Sequence, residues 1–157
     1  LIIHFKNLND LNNDVICTKS FLKLYKSFCP GPITFILNKK KSSKISKIAS
    51  AGKKTIAVRI PKHNVARNLL KILNVPLAAP SANVSSKLSP TSAIDVFEEF
   101  GNKIKFILDG GKCRFGLEST IIDLTTKPSI LRPGIISKEK IQKALSKKSK
   151  NRKSINN

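Results

Sequence analysis

Residues 76–83 read PLAAPSAN. Leu77, Ala78 and Ala79 are small or apolar, the composition of a strand covered on both faces. Pro80 has no N–H and cannot continue a central ladder, so the strand has to end there. Ser81 and Asn83 then set a hydroxyl and an amide at the strand's carboxyl end, the edge where open α/β sheets bind ligands. The stretch is either a plain strand-to-loop turn or one wall of a pocket.

On either side of it, apolar runs bounded by turn residues predict strands over 1–5, 33–37, 55–60, 75–79, 105–108, 120–124 and 129–131. Helical spacing predicts helices over 18–28, 65–73, 91–100 and 138–145. For the third of these, Ser89 and Thr91 offer caps, Pro90 suits a first turn and Gly101 suits the C′ position. Strands and helices interleave, which predicts an α/β or α+β fold with a mixed sheet. Residues 39–54 read as a polar, basic connection, open to being a mobile loop. The chain divides into one domain over 1–147 and a basic, disordered tail over 148–157, which has almost no apolar surface to bury.

A chain of 157 residues, 40% of them hydrophobic, suffices for one domain with a real core. No apolar run approaches the roughly 18 residues of a membrane span, and no signal-peptide pattern opens the chain. Cys17, Cys29 and Cys113 form no CxxC pair, so neither a zinc site nor a disulfide framework is indicated. They read as reduced, buried thiols of a cytoplasmic protein without membrane partners. Thirty Lys and Arg against nine Asp and Glu give a net charge of +21. Such an excess favours polyanionic partners, nucleotide phosphates or RNA; its bland reading is a lysine-rich surface. Arginine is scarce, so Arg59, Arg67, Arg114 and Arg132 are the cations to watch, because an Arg in a lysine-rich chain marks a place where a planar fork is wanted.

Several polar clusters fall at strand ends: PGPIT at 30–34, TIAVRIP at 55–61, SPT at 89–91, DGG at 109–111, GLEST at 116–120 and RPG at 132–134. Each alone is weak, since a DGG is usually a turn and an RPG a loop. Their shared placement raises the odds of a site. Taken in order with APSAN and GLESTIID, these motifs are similar to those of the YrdC-like threonylcarbamoyl-AMP synthases. The resemblance runs from residue 1 to 147.

It implies an α/β (α+β-like) fold, a twisted mixed sheet flanked by helices around a large, positively charged cavity. It also implies the reaction: L-threonine, bicarbonate and ATP give threonylcarbamoyl-AMP and pyrophosphate, for threonylcarbamoylation of an adenosine in tRNA. No protein nucleophile is required, no Ser/His/Asp arrangement is visible, and neither a catalytic nucleophile nor a protein-bound metal is assigned. Mg²⁺ is expected with ATP. By the same resemblance Thr34, Ser81, Asn83 and Arg132 face the nucleotide, and Ser89 joins them near phosphates or ribose. Arg59 is read as a phosphate contact, the alternative being an ion-paired surface Arg. Ser119 is implied at the threonine or carbamate end, and His4 near the threonine. His63 reads as a solvated residue at a helix start.

At the front, family members carry a Thr-Glu-Thr-x-Tyr-Gly segment and a Lys-x-Arg motif. Nothing here matches either, so the chain reads as N-terminally truncated. Alone it is expected to bind ATP weakly and to make little adenylate. A downstream threonylcarbamoyl transferase complex is the expected partner. The competing readings are a non-catalytic module binding double-stranded RNA or tRNA, and an inactive remnant.

Overall fold

The computed structural model describes residues 1–83, 89–113 and 118–147. Six strands form one sheet: β1 (Ile2–His4), β2 (Ile33–Asn38), β3 (Thr55–Arg59), β4 (Leu77–Ala79), β5 (Thr120–Asp123) and β6 (Ser129–Arg132). Their order is β4-β1-β3-β2-β5-β6. β1 runs parallel to β3 and β2 parallel to β5, while the β1–β4, β2–β3 and β5–β6 pairs are antiparallel. The predicted mixed sheet is therefore present.

Alternation along the strands gives the sheet two unlike faces. Ile3, Ile33, Phe35, Leu37, Ile56, Val58 and Ile122 are buried in one core cluster. Into it α1 (Leu8–Asn12) sends Leu11, α2 (Lys19–Phe28) sends Phe21 and Leu24, and α5 (Lys138–Ser146) sends Ile141 and Ala144. Phe21 meets Phe35 edge-on, with ring centroids 5.1 Å apart, the geometry that aromatic quadrupoles favour. α2 starts where Thr18 Oγ1 accepts from Phe21 N at 3.1 Å, and α5 starts at Ser137. α1 was not predicted; it is one short turn whose signal is the Asn7 cap accepting from Asp10 N at 2.9 Å.

The remaining helices are α3 (Asn64–Leu73) and α4 (Ala93–Phe100), the latter followed by a 3-10 turn at Gly101–Lys103. α4 is capped by Ser92, not by Ser89 or Thr91. Ser92 Oγ accepts from Asp95 N at 3.2 Å, and Asp95 accepts in return from Ser92 N at 3.0 Å, a reciprocal capping box. Hydrogen bonds to the Asp95 carboxyl hold it down at about 2, led by the one that the Thr91 amide donates at 2.8 Å. Gly101 ends the helix at φ 49°, a conformation glycine adopts without a Cβ penalty.

Four expectations need correction. Residues 105–108 form no strand: Phe106 is 90% exposed and Leu108 62%, and no neighbouring strand pairs with them among the described residues. β4 is an edge strand with Ala78 exposed, not one covered on both faces. Residues 39–54 are tied down: buried Asp14 accepts from Ser43 Oγ at 2.7 Å and Lys44 N at 2.9 Å, and Lys39 N donates to Lys54 O at 2.8 Å. Cys17 and Cys29 are half-buried and Cys113 is exposed, so the thiols are not all core residues. The predicted tail, 148–157, lies outside the described residues. No helix among the described residues is long and apolar enough to cross a membrane.

Candidate active site

The face opposite the core carries one row of side chains across the sheet. Leu77 of β4 lies opposite His4 of β1, and His4 beside Arg59 of β3. The Phe35–Val58 register puts Thr34 of β2 next to Arg59 one step further on, and Thr34 pairs with Ile121 of β5. Ile121 faces Arg132 of β6. Four of the residues expected in the site thus share one line on one face.

Arg132 is in that line because of a bulge. The β5–β6 register jumps between Ile121 and Ile122, so that Ile122 faces Ile130 while Ile121 faces Arg132, skipping Leu131. Without the extra residue Leu131 would stand opposite Ile121. Bulges re-aim side chains in this way beside functional sites.

Around Arg132 the polar groups interlock. Thr34 Oγ1 and Ser119 Oγ lie 2.8 Å apart, both buried. Arg132 Nη2 donates to Ser119 Oγ at 3.1 Å and to Ser119 O at 2.9 Å, and Nε donates to the same carbonyl at 3.2 Å. Nη1 is ion-paired to Glu118 Oε2. Ser89 Oγ donates weakly to Glu118 Oε1 at 3.4 Å. The fork expected to meet a phosphate therefore rests on the protein in this structure. Thr120 secures the segment beneath, its Oγ1 donating to Ile136 O and accepting from Ile136 N, each at 3.0 Å.

Arg59 is the other cation. Burial lowers its pKa, the nearby Arg132 guanidinium lowers it further, and only Cys29 opposes them. Its Nε is buried without a hydrogen-bond partner among the described residues. Two guanidiniums that repel each other, one holding an orphaned donor, make a place where an anion is stabilised. His4 beside Arg59 has its pKa lowered, first by burial and then by Arg59, against backbone groups of Leu77 and Ile2 that raise it. Its imidazole is neutral at pH 7.

A cavity of about 750 Å³ reaches these groups at Arg59, Ser89 and Glu118, and is lined also by His63, Ala82 and Lys112. It is basic through Arg59 and Lys112, with Glu118 as the carboxylate. Ser81 is exposed and Asn83 half-buried, flanking the cavity-lining Ala82 at the end of β4. His63 is exposed at the start of α3, as expected, but its ring abuts Gly110, where a Cβ would come within 3.0 Å of Cε1. Arg114, Gly116 and Leu117 lie outside the described residues. Glu118 and Lys112 were not singled out from the sequence. The signal for Glu118 was its place inside GLEST, directly before Ser119.

The sequence profile of the Sua5/YciO/YrdC family, described as "Telomere recombination", matches residues 1–134. The chain is 44% identical over 149 residues to a threonylcarbamoyl-AMP synthase of Pyrococcus abyssi, covering 92% of this chain and 43% of that one. It is 47% identical over 134 residues to the Schizosaccharomyces pombe protein of the same name, covering 83% and 33%. Among solved structures it resembles P. abyssi Sua5 complexed with L-threonine, with a TM-score of 0.87 and 42% identity over 93% of this chain and 43% of that chain. Escherichia coli YciO shares the fold, with a TM-score of 0.77 at 24% identity over 87% and 66%. The chain spans less than half the length of the two synthases it matches.

Proposed function

The chain belongs to the Sua5/YciO/YrdC family, and from that premise we propose that it forms threonylcarbamoyl-AMP and pyrophosphate from L-threonine, bicarbonate and ATP, in the biosynthesis of threonylcarbamoyladenosine in tRNA. The observation that carries this reading is the row His4, Arg59, Thr34, Ile121, Arg132 on one face of the sheet, with Arg59 also lining a basic cavity shared with Ser89 and Glu118. In the proposed reaction the threonine amine takes up bicarbonate, losing water to give a carbamate. A carbamate oxygen then attacks the α-phosphorus of ATP, and the bond to pyrophosphate breaks. Bicarbonate, the carbamate, ATP and pyrophosphate are all anions, so the protein's task is to position the reactants and to stabilise charge.

Arg59 and Arg132 supply the positive field at the nucleotide. Ser89 serves phosphates or ribose, and Ser81 and Asn83 flank the nucleotide at the end of β4. Thr34 sits on the same nucleotide side and shares its hydrogen bond with Ser119, which faces the threonine or carbamate. Neutral His4 lies near the threonine and adds no charge beside Arg59. L-threonine is the ligand complexed with P. abyssi Sua5 in its crystal structure. Mg²⁺ arrives with ATP as part of the substrate, a usual arrangement for an ion that keeps its waters and phosphates. The described residues contain no cluster of three or more His, Cys, Asp or Glu to hold it separately. The product is consumed by a threonylcarbamoyl transferase complex.

Calorimetric titration of ATP in the presence of L-threonine and bicarbonate tests the site. Arg59→Ala is expected to weaken binding by roughly ten- to a hundredfold, the scale of a lost charged hydrogen bond. Undiminished affinity would remove Arg59 from the nucleotide site. Pyrophosphate release that needs neither L-threonine nor bicarbonate would overturn the reaction.

A further inference from the structure

The guanidinium of Arg132 offers two forked edges, and the protein occupies both. Nε and Nη2 converge on the Ser119 carbonyl. On the outer edge Nη2 reaches Ser119 Oγ and Nη1 reaches Glu118 Oε2. A phosphate cannot be gripped by that outer edge while Glu118 holds Nη1. The two holders differ in kind. Ser119 is buried and bonded to Thr34, whereas the Glu118 side chain is 44% exposed and, among the described residues, supported otherwise only by the 3.4 Å contact from Ser89. Glu118 is also the one carboxylate among the residues lining the cavity.

We propose that Glu118 is the resident counter-anion of Arg132, holding the place that the ligand's phosphate takes and leaving when the phosphate arrives. The proposal rests on the nucleotide reading of this cavity. Arg59 and Arg132 repel each other when no anion lies near, and Glu118 supplies the charge that relieves them. A ligand carboxylate replacing it would gain nothing in charge, while a phosphate of higher charge would. Glu118 therefore biases Arg132 towards phosphates and against carboxylates, making it a specificity-determining residue of the site.

Titration of inorganic pyrophosphate and of ATP into the wild type, Glu118→Gln and Glu118→Ala tests this, with thermal melts of each free protein to show that it folds. Removing a half-exposed competitor should tighten pyrophosphate binding by roughly two- to fivefold. Arg132→Ala should weaken binding and make a further change at Glu118 silent, a coupling that a double-mutant cycle reads directly. Glu118→Ala carries the same test if the Gln variant does not fold. Unchanged or weaker pyrophosphate binding in the folded Glu118 variants overturns the proposal, because a carboxylate that only positions Arg132 would help the ligand. Tighter pyrophosphate without any ATP binding leaves Glu118 in this role and removes the nucleotide reading. ATP binding without tightening does the reverse, and no binding of either ligand to any variant overturns both.

Discussion

At Gly134 a Cβ would stand 2.5 Å from Glu118 O and 2.6 Å from Thr120 N. Both are backbone atoms of the segment that carries Ser119, so neither can swing aside. Gly134→Ala should therefore cost roughly 1–3 kcal/mol, as overpacking does, read as a lower denaturant midpoint; an unchanged midpoint would show that the segment yields. Cys29 behaves oppositely to a reactive thiol. Burial raises its pKa to about 12, with Arg59 the lesser, opposing influence. Exposed Cys113 should be alkylated by iodoacetamide at pH 8 long before Cys29, mass spectrometry of the labelled peptides giving the order. The sign for stability follows. The unfolded thiol loses its proton near its ordinary value of 9.0 and the folded one near 12, so this contribution is present below 9 and fades as pH rises through that window.

Elements differ in how firmly they are held. Phe35 on β2 is 1% exposed, whereas Phe97 on α4 is 59% exposed and α4 buries no residue at all. Phe35→Ala should cost about 3–5 kcal/mol, and Phe97→Ala no more than about 0.5 kcal/mol. Equal losses in chemical denaturation would mean that α4 packs more tightly than its exposure shows. Strand and helix identities were mostly legible because apolar period and turn residues agree for β2, β3, α2 and α5. Two elements escaped. The run 105–108 has strand composition, but a strand needs a partner ladder, which composition cannot supply. α1 is a five-residue helix, shorter than the repeat that would reveal it.

The whole molecule carries a net charge of +21, and among the described residues Lys6–Asp10 and Arg132–Glu118 are ion pairs. Like charges at this density oppose the compact state, and salt screens them over about 10 Å at 0.1 M. The melting temperature should accordingly rise between about 10 mM and 300 mM NaCl, scales on which the screening length falls severalfold. A flat or falling curve in differential scanning calorimetry would mean that the lysines are spread too thinly to repel. The sequence by itself determined the mixed α/β class, the positions of the turns that end strands, and the identity of the polar residues beside them. Those properties are local, set by side-chain period and by the conformations that Pro and Gly allow. Only the tertiary structure decided that β4 lies at an edge, that His4, Arg59, Thr34 and Arg132 share one row, and that Glu118 holds Arg132. Register, a single-residue bulge and the pairing of groups as far apart as Ser89 and Glu118 depend on which strands meet, and no local pattern encodes that.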